Sequence, residues 1–328
     1  MRAVVADGYG GSEVLGLREV PPPATGPDDV LVRVVAAGTN PADWECRSGL
    51  AADWFGAGPY VWGWDVSGVV AAVGERVTAF VPGDEVYGMP RFPELAEGYA
   101  EFVAAPAAQL ARKPRNLPHQ LSAALPLSGL TAAQTLDATG ASAGARVLVH
   151  GAAGGVGHLV VQLARQRGCQ VIAVARPLAH AVLRELGVRE ILDPGDLPLV
   201  GAGLGVDVAV DCVGDDALLD VVRPGGVFAR VPGAAAGPGA LAAPAADRGV
   251  RLVHHVVHPD AEGLARLAEL VEAGAVVPRV SLVLPLEMAA LAHDVMERGH
   301  GLSKIVLSVA PEPAPPAHGE PGRPAAGG

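Results

Sequence analysis

Short apolar runs alternate with helical patterns through the middle of the chain, from about residue 121 to residue 273. The runs are rich in β-branched residues, as is typical of parallel strands that are covered on both faces. Six such runs occupy residues 146–151, 170–175, 190–192, 206–213, 226–231 and 250–257. Helical spacing appears at residues 178–186, which Gly187 follows, and at residues 260–273. The alternation predicts an α/β fold with a doubly wound parallel sheet.

The first third of the chain instead carries short β-like runs that Pro and Gly residues interrupt. The runs span residues 2–6, 30–36, 68–73, 85–88 and 99–104, and they predict a mostly antiparallel, β-rich domain. Residues 278–309 return to a strand, helix, strand order that we expect to complete this domain. We therefore expect a β-rich domain from residues 1–122 and 274–310 and a parallel-sheet domain from residues 123–273. Residues 311–328 have too few apolar side chains to offset the entropy of ordering, which predicts a disordered tail.

A glycine cluster follows the first predicted strand of the parallel sheet. The sequence from Val147 reads VLVHGAAGGVG and continues at once as a helical pattern from His158. The spacing G-x-G-x-x-G is met with alanine at the first position. Because glycines let backbone N–H groups approach phosphates at the positive end of a helix, the segment predicts a dinucleotide pyrophosphate site. The expected contacts are Gly151, Ala152, Ala153, Gly154, Gly155, Val156 and Gly157.

The end of the second predicted strand bears on which nicotinamide cofactor binds. A residue close to twenty positions past the first glycine reads the ribose, and a carboxylate there favours NAD. This chain has Ala175 and Arg176 at that point, and an arginine suits the 2′-phosphate of NADPH. The predicted cofactor is therefore NADPH. The alternative interpretation is that Arg176 is a solvated loop residue.

Composition and charge narrow the function classes. The chain has 328 residues with 50% hydrophobic content, enough for a substantial core, and no segment approaches a membrane span. A formal charge of -11 disfavours nucleic acid as a partner, because phosphate binding needs a concentrated basic face. The amino terminus lacks the apolar region of a signal peptide, and three scattered cysteines argue against a disulfide framework. We expect a cytoplasmic protein that acts on a small-molecule substrate.

Seven segments have an order and spacing that point to one family. They are VAAGTNPAD at 35–43, GWDVSGVV at 63–70, VPGDEVYG at 81–88, ALPLSGLTA at 124–132, the glycine cluster, RPGG at 223–226 and SKIVL at 303–307. Together they resemble the medium-chain dehydrogenase/reductase superfamily, specifically its zinc-independent, quinone oxidoreductase-like (zeta-crystallin-like) branch. The resemblance covers residues 1 to about 309. It implies a GroES-like substrate domain, a Rossmann cofactor domain and an active cleft between them.

The resemblance also bears on metal binding. Alcohol dehydrogenases of the superfamily hold catalytic zinc with a cysteine where this chain has Asn40, and with a Gly-His-Glu segment where it has GWD at 63–65. Three cysteines in the whole chain also cannot supply a four-cysteine structural zinc site. We therefore expect no metal. His254, His255 and His258 lie in a strand-like run whose alternation splits the first two between faces, and we interpret them as core or interface residues.

Residue roles at the cofactor follow from the same resemblance. It implies that Asn40 lies beside the nicotinamide and the substrate, that Thr131 lines the nicotinamide pocket and that Lys304 lies near the cofactor phosphates. Val213, at the end of a predicted strand, is assigned to the same site. The alternatives are an ordinary helix residue for Thr131 and a surface charge at a strand end for Lys304. Asn40 is also the first catalytic candidate, as a hydrogen-bond donor to the acceptor.

Two further catalytic candidates lie near departures from the pattern of the branch. Glu45 stands where quinone reductases of this branch often have a tyrosine, and Ala51 replaces a second pocket tyrosine, which argues against simple quinones as the physiological substrate. Glu45 is either an acid in the cleft, with a pKa that burial raises, or a side chain that faces solvent. The aromatic-rich stretch 54–64 either packs the core or walls an apolar pocket, and Tyr60 within it is a candidate proton donor.

Without a Lewis acid, the accessible chemistry is hydride delivery to an acceptor that is already electron-poor. The sequence therefore predicts an NADPH-dependent oxidoreductase that acts on a quinone or an α,β-unsaturated carbonyl. Two alternatives stay open: a 2-enoyl-thioester reductase, and a cofactor-binding protein without redox turnover. The run at 250–257 would leave a sheet edge unpaired, which predicts a homodimer across a two-fold axis.

Overall fold

Antiparallel strands dominate the amino-terminal part of the computed structural model, which describes residues 1–197, 203–231, 241–299 and 302–313. This part forms β1 (Arg2–Ala6), β2 (Leu15–Glu19), β3 (Asp29–Gly38), α1 (Pro41–Ser48), α2 (Ala52–Phe55), β4 (Tyr60–Val61), β5 (Asp65–Val73), β6 (Glu85–Gly88), β7 (Phe102–Pro106), β8 (Leu110–Arg112) and α3 (His119–Ser122). Strands β2, β1 and β4 form a small sheet, and β3, β5, β6, β7 and β8 belong to a larger one. All of these pairings are antiparallel, so the predicted β-rich domain is confirmed.

A parallel sheet follows in the middle of the chain. Its elements are α4 (Pro126–Thr139), β9 (Arg146–His150), α5 (Gly157–Gln166), β10 (Gln170–Val174), α6 (His180–Glu185), β11 (Glu190–Leu192), β12 (Val206–Asp211), β13 (Val222–Arg230), α7 (Ala242–Asp247), β14 (Arg251–His254) and α8 (Ala261–Glu272). The strand order is β11-β10-β9-β12-β13-β14, with every pair parallel. This is the order of Rossmann folds, and it confirms the predicted doubly wound sheet. In such sheets ligands bind at the carboxyl ends of the strands where the order reverses, here between β9 and β12.

The last part of the chain returns to the larger antiparallel sheet. It forms β15 (Val280–Pro285), α9 (Ala289–Glu297) and β16 (Lys304–Ser308), with β16 antiparallel to β3 and parallel to β15. The sheet order is therefore β15-β16-β3-β5-β6-β8, with β7 also on β3. Strands β15 and β16 thus join the same sheet as strands from the first third of the chain. The numerical boundaries of the two domains stay predictions.

The two domains meet at the edge of the parallel sheet where ligands are expected. The backbone N–H of Ser303 donates to the carbonyl oxygen of Ala153 over 2.8 Å, and Ser303 forms a β-bridge with Gly154. On another side, the hydroxyl of Tyr87 on β6 donates to the carbonyl oxygen of Leu264 on α8 over 2.6 Å. The first of these contacts brings the start of β16 directly against the glycine cluster.

The last strand of the parallel sheet is shorter than the sequence pattern predicts. It ends at His254, because a side chain of α4 binds the backbone beyond it. Nε2 of Gln134 donates to the carbonyl oxygen of His258 over 3.0 Å, and Oε1 of Gln134 accepts from the N–H of His258 over 3.1 Å. Nε2 of His255 lies 2.9 Å from the same Oε1. Residues 255–258 are therefore held by a helix and do not extend the sheet.

The chain stays ordered slightly beyond the predicted start of its tail. The carboxylate of Glu312 accepts from the backbone N–H groups of His119 (3.1 Å) and Gln120 (3.2 Å) at the start of α3. Residues 314–328, the rest of the predicted disordered tail, lie outside the described residues. Among the helices that the structure describes, none combines the length and the apolar character needed to cross a bilayer.

Candidate functional site

The glycine cluster forms the loop between β9 and α5, where the strand order of the parallel sheet reverses. Gly151 has a φ of +72°, a left-handed conformation that L side chains rarely adopt. A Cβ atom at Gly157 would lie 2.2 Å from the carbonyl oxygen of Gly151, so glycine alone fits there without moving the loop. Helix α5 begins at Gly157, and its first N–H groups carry the positive end of the helix dipole. This arrangement can hold the pyrophosphate of a dinucleotide.

His158 anchors this loop, although the sequence pattern presents it only as a helical residue. Its Nδ1 lies 2.8 Å from the carbonyl oxygen of Gly154, and its Nε2 lies 3.3 Å from the backbone N of Arg279. Because the backbone N–H of Arg279 can only donate, Nε2 accepts and Nδ1 carries the proton. Burial lowers the pKa of His158 to about 4, so the ring is neutral at pH 7. A single sequence carries no signal for this role.

A second loop, at the carboxyl end of β12, lies against the glycine loop. The buried carboxylate of Asp211 accepts from the backbone N–H groups of Val213 (3.0 Å), Gly214 (3.0 Å) and Asp215 (2.9 Å). The turn leaves Val213 63% exposed, and a Cβ atom added to Gly151 would lie 2.8 Å from Cγ2 of Val213. An exposed apolar side chain at this edge suits contact with a flat ring. The role of Val213 at the cofactor stays a prediction. Asp211, which sequence reasoning did not single out, holds the turn that exposes Val213.

Arg176 lies in the loop after β10, the strand next to β9, and is exposed at the same edge of the sheet. The backbone on its amino-terminal side is fixed, because the N–H of Ala175 donates to the carbonyl oxygen of Leu192 over 3.1 Å. Nε2 of His180 lies 2.8 Å from the carbonyl oxygen of Ala175. Within the described parts of the chain, no hydrogen bond or ion pair engages the guanidinium of Arg176. Its charge is therefore accessible to a phosphate group.

Three side chains that are distant in the sequence meet in a buried group, called here the Asn40 cluster: Asn40, Asp65 and Lys304. Nδ2 of Asn40 donates to Oδ2 of Asp65 over 3.0 Å. Nζ of Lys304 donates to Oδ1 of Asn40 and lies 3.2 Å from Oδ2 of Asp65. Oδ1 of Asp65 accepts from the backbone N–H of Leu127, at the start of α4, over 2.7 Å. None of the three side chains is more than 4% exposed.

Each member of the Asn40 cluster stands at the end of an element of the β-rich domain. Asn40 lies between β3 and α1, Asp65 begins β5 and Lys304 begins β16. The aliphatic part of Lys304 lies along the glycine loop, since a Cβ atom at Gly155 would be 3.0 Å from Cδ of Lys304. The interpretation of Lys304 as a surface charge is therefore wrong. The ammonium bonds to Asn40 and Asp65 and to no group of the glycine loop in the described structure. The contact of Lys304 with cofactor phosphates therefore stays a prediction.

A second buried group holds the backbone of Asn40. Oδ2 of Asp43, on α1, accepts from the backbone N–H of Asn40 over 2.6 Å and from the hydroxyl of Tyr99 over 2.8 Å. Nε2 of His293 lies 3.3 Å from the same hydroxyl. Burial raises the pKa of Asp43 to about 7, although the hydrogen bonds from Tyr99 and Asn40 act to lower it. Burial also lowers the pKa of His293 to about 3. No pattern in the sequence joins Asp43 with Tyr99 and His293, which lie 56 and 250 positions further on.

Thr131 and Glu45 lie on helices next to this region. Thr131 is buried in α4, and its hydroxyl donates to the carbonyl oxygen of Leu127 over 2.6 Å. The same Leu127 donates its backbone N–H to Asp65, so Thr131 is one helical turn from the Asn40 cluster. Glu45 is half-buried on α1. The roles of Thr131 at the nicotinamide and of Glu45 as an acid stay predictions.

Tyr60 lies in the aromatic core of the β-rich domain. Its ring centroid is 5.1 Å from that of Tyr9 and 4.8 Å from that of Trp62. Its hydroxyl donates to the carbonyl oxygen of Gly56, so the proton that it would give to a substrate is already engaged. Only 3% of Tyr60 is exposed. Tyr60 therefore packs the core, and this geometry does not support a role as a proton donor.

The aromatic stretch 54–64 both packs the core and walls a cavity. Trp62 and Trp64 are buried, whereas Trp54 is 73% exposed. The exposed residue borders a cavity of about 470 Å³, whose lining consists of Trp54, Phe55, Pro93, Glu94 and Leu95. The indole N–H of Trp64 donates to the carbonyl oxygen of Glu94 over 2.7 Å and so ties the core to the cavity wall. The stretch therefore packs the core at Trp62 and Trp64, and its part in walling an apolar substrate pocket stays a prediction.

Two family descriptions match the chain. Residues 26–115 match the alcohol dehydrogenase GroES-like domain, and residues 186–307 match the family described as zinc-binding dehydrogenase. The donor set of the Asn40 cluster does not fit a zinc ion. An ammonium group cannot ligate a metal, and the ammonium of Lys304 bonds to the oxygens of Asn40 and Asp65 that a cation would need. Among the described residues, no group of three or more His, Cys, Asp or Glu side chains is arranged to hold a metal ion.

Named relatives cover almost the whole chain. An NADPH-dependent alkenal/one oxidoreductase of Arabidopsis thaliana is 33% identical over 94% of this chain and 79% of its own length. The structure of a quinone oxidoreductase from Coxiella burnetii superposes with a TM-score of 0.89 at 33% identity, covering 94% of this chain and 99% of the other. A mycobacterial structure complexed with NADPH superposes with a TM-score of 0.82 at 30% identity, covering 94% and 100%. The chain belongs to the medium-chain dehydrogenase/reductase superfamily, and its relatives there include quinone oxidoreductases and alkenal/one oxidoreductases.

Proposed function

We propose that the protein is an NADPH-dependent oxidoreductase that transfers hydride to a quinone or an α,β-unsaturated carbonyl without a metal ion. When bound, NADPH supplies a hydride to a carbon of the acceptor, and the acceptor takes up one further proton. A quinone then becomes a hydroquinone, an enone becomes a saturated ketone, and NADP⁺ is left. This activity agrees with the relatives named as alkenal/one and quinone oxidoreductases.

The observation that carries the proposal is the direct contact between the glycine loop and the Asn40 cluster. A cofactor whose pyrophosphate bound at the loop would lie next to the β-bridge of Ser303 and Gly154, which leads to the start of β16. Lys304 follows at once, and its ammonium bonds to Asn40. The polar groups of the cluster therefore lie beside the expected cofactor site. This proximity supports hydride transfer, because that reaction needs donor and acceptor to be held in contact.

The chemistry available to these side chains suits an activated acceptor. The amide of Asn40 has a second Nδ2 N–H besides the one bonded to Asp65, and this group is the donor proposed for the acceptor oxygen. A hydrogen bond stabilises developing charge on oxygen less than a metal ion does. An acceptor whose own conjugation spreads that charge is therefore favoured over a saturated aldehyde.

The test is NADPH oxidation, followed by absorbance, with a quinone, an enone, a 2-enoyl thioester and a saturated aldehyde, each with and without a chelator. We expect turnover with the quinone and the enone, little with the aldehyde, and no effect of the chelator. Preference for the enoyl thioester would favour a 2-enoyl-thioester reductase. NADPH binding without turnover on any acceptor would make the chain a cofactor-binding protein, and activity restored by zinc after chelation would refute the metal-free mechanism.

The proposal extends to the assembly of the protein as a homodimer. Strand β14 ends the order of the six-stranded sheet and, among the described strands, pairs only with β13. A second copy that pairs with this edge across a two-fold axis would satisfy its free backbone groups. Val256, just beyond the strand, is exposed and would be covered by the same contact. A monomer in light scattering at micromolar concentration would contradict this assembly.

The cytoplasm is the compartment that we propose. Cys46, Cys169 and Cys212 are free thiols, as a reducing compartment allows. Relatives include chloroplastic and mitochondrial proteins, so the proposal needs a direct test. Fractionation of cells that produce the protein from its own sequence should recover it with cytoplasmic markers. Recovery with an organelle or a membrane fraction would contradict the assignment.

A further inference from the structure

The ion pair between Lys304 and Asp65 is unusual because both side chains are buried. Asp65 is fully buried, Lys304 is 4% exposed, and Nζ lies 3.2 Å from Oδ2. Removing two charges from water costs more than their attraction usually returns, so a buried ion pair is weak grounds for a purely stabilising role. Such a pair, buried beside the glycine loop, calls for another explanation.

The two charges decide how the amide of Asn40 is oriented. The oxygen and nitrogen of an amide are nearly isosteric, so their assignment depends on their partners. The ammonium of Lys304 can only donate, which requires Oδ1 of Asn40 on its side. An ionised Asp65 can only accept, which requires Nδ2 of Asn40 on its side. In the opposite orientation, the N–H groups of Asn40 would face the ammonium of Lys304, and its oxygen would face the carboxylate of Asp65.

We propose that Lys304 and Asp65 are positioning residues that lock the amide of Asn40 with its second Nδ2 N–H directed at the reacting acceptor. The inference rests on the proposed function, because the locked donor matters only if an acceptor oxygen binds beside it. Neither residue needs to touch the acceptor. They act through Asn40, and the backbone N–H of Leu127 fixes the other oxygen of Asp65 in turn.

The second lysine of the chain offers a matched control. Lys113 is also buried, and its Nζ donates to the carbonyl oxygen of Leu117 over 2.7 Å and lies 3.1 Å from Glu85. No contact joins it to the Asn40 cluster in the described structure. Replacing Lys113 removes a buried ammonium from a comparable environment but leaves the amide of Asn40 untouched.

The experiment compares Lys304→Met, Asp65→Asn, the double variant with both changes, and Lys113→Met. Three quantities are measured on each: the urea midpoint, the Kd for NADPH by fluorescence, and the single-turnover rate of hydride transfer to the best acceptor. Both single variants leave one buried charge unpaired and are expected to unfold at lower urea. The double variant is neutral at the pair, so its urea midpoint should return towards that of the parent protein.

Hydride transfer separates positioning from stability. In the double variant no charge selects the orientation of the amide, and we expect the rate to stay about 100-fold below the parent protein, near the loss of one oxyanion donor. Its Kd for NADPH should stay within about threefold of the parent value, a shift of well under 1.4 kcal/mol. Lys113→Met should keep the parent rate and Kd, whatever its urea midpoint.

The outcomes are distinguishable. A parental rate in the stable double variant would overturn the positioning role while leaving the proposed function intact. A much weaker Kd for NADPH in Lys304→Met and in the double variant, with an unchanged rate at saturating NADPH, would also overturn it and make Lys304 a cofactor contact. A parent protein that reduces no acceptor would overturn both the proposed function and this inference.

Discussion

The glycine loop and the Asn40 cluster lie side by side and are built in opposite ways. The loop is one contiguous segment, and it works through backbone N–H groups and the absence of side chains. The cluster draws residues 40, 65 and 304 from three segments and works through their side chains. A site of the first kind is damaged by an added atom, whereas a site of the second kind is damaged by a lost charge or amide. Substitutions at four positions test this contrast.

The largest effect is expected at Asn40. Asn40→Ala removes the proposed donor to the acceptor oxygen, and one such donor contributes about 2.7–4 kcal/mol, or about 10²–10³ in rate. The single-turnover rate of hydride transfer should fall by that factor, while the Kd for NADPH changes little. Full activity of Asn40→Ala on the best acceptor would exclude the amide from the chemistry.

The addition of one methyl group to the glycine loop should weaken the binding of NADPH. Gly157→Ala places Cβ 2.2 Å from the carbonyl oxygen of Gly151, so the backbone must shift. Overpacking of this kind costs about 1–3 kcal/mol, which corresponds to about 5- to 150-fold in the Kd for NADPH where the cost falls on the binding-competent loop. Gly154→Ala is the control, because its Cβ would lie 3.2 Å from the same oxygen and so clash less. Its affinity for NADPH should fall less than that of Gly157→Ala. Equal affinities for all three proteins would mean that the pyrophosphate binds elsewhere.

Next comes the choice between the two nicotinamide cofactors. Arg176→Ala removes the exposed charge proposed for the 2′-phosphate, and solvent screening limits the effect to about tenfold in the Kd for NADPH. The Kd for NADH should stay unchanged, so the ratio between the affinities for NADPH and NADH should decrease. Arg184→Ala, on the neighbouring α6, removes an exposed charge that is not at the strand end. A parent protein that binds both cofactors equally would contradict the assignment.

A fourth effect concerns stability and pH instead of cofactor binding or activity. The folded-state pKa of Asp43 is about 7, above the value of about 3.9 in an unfolded chain. Protonation of Asp43 therefore stabilises the fold at low pH, and this contribution is lost as the pH rises through 7. Asp43→Asn stays neutral, so its free energy of unfolding should rise relative to that of the parent between pH 5 and pH 8.

Urea denaturation at the two pH values measures this difference. Asp7→Asn is a suitable control, because the guanidinium of Arg18 holds the pKa of Asp7 below its ordinary value. Asp7 is then ionised in both the folded and the unfolded state at pH 5 and pH 8, and the variant should show no change. A constant difference between Asp43→Asn and the parent would place the pKa of Asp43 outside this window.

The same contrast explains what the sequence could predict. Strand alternation and the glycine spacing are local patterns, so the parallel sheet and the loop were predictable from neighbouring residues. Asn40 was reached only through the family resemblance. The bond of Lys304 to Asp65 joins residues 239 positions apart, and no periodicity links them. The end of β14 at His254 was also beyond reach, because the side chain of Gln134 on a distant helix determines it.

The bridge between Ser303 and Gly154 also limits how the molecule can move. It joins the backbone of the β-rich domain to the glycine loop itself, through the N–H of Ser303 and the carbonyl oxygen of Ala153. A rotation that opens the cleft to admit or release a ligand must keep its axis close to this point or break the bridge. The hydrogen bond from Tyr87 on β6 to Leu264 on α8 ties the two domains on another side, so such a rotation would also have to strain or break that bond.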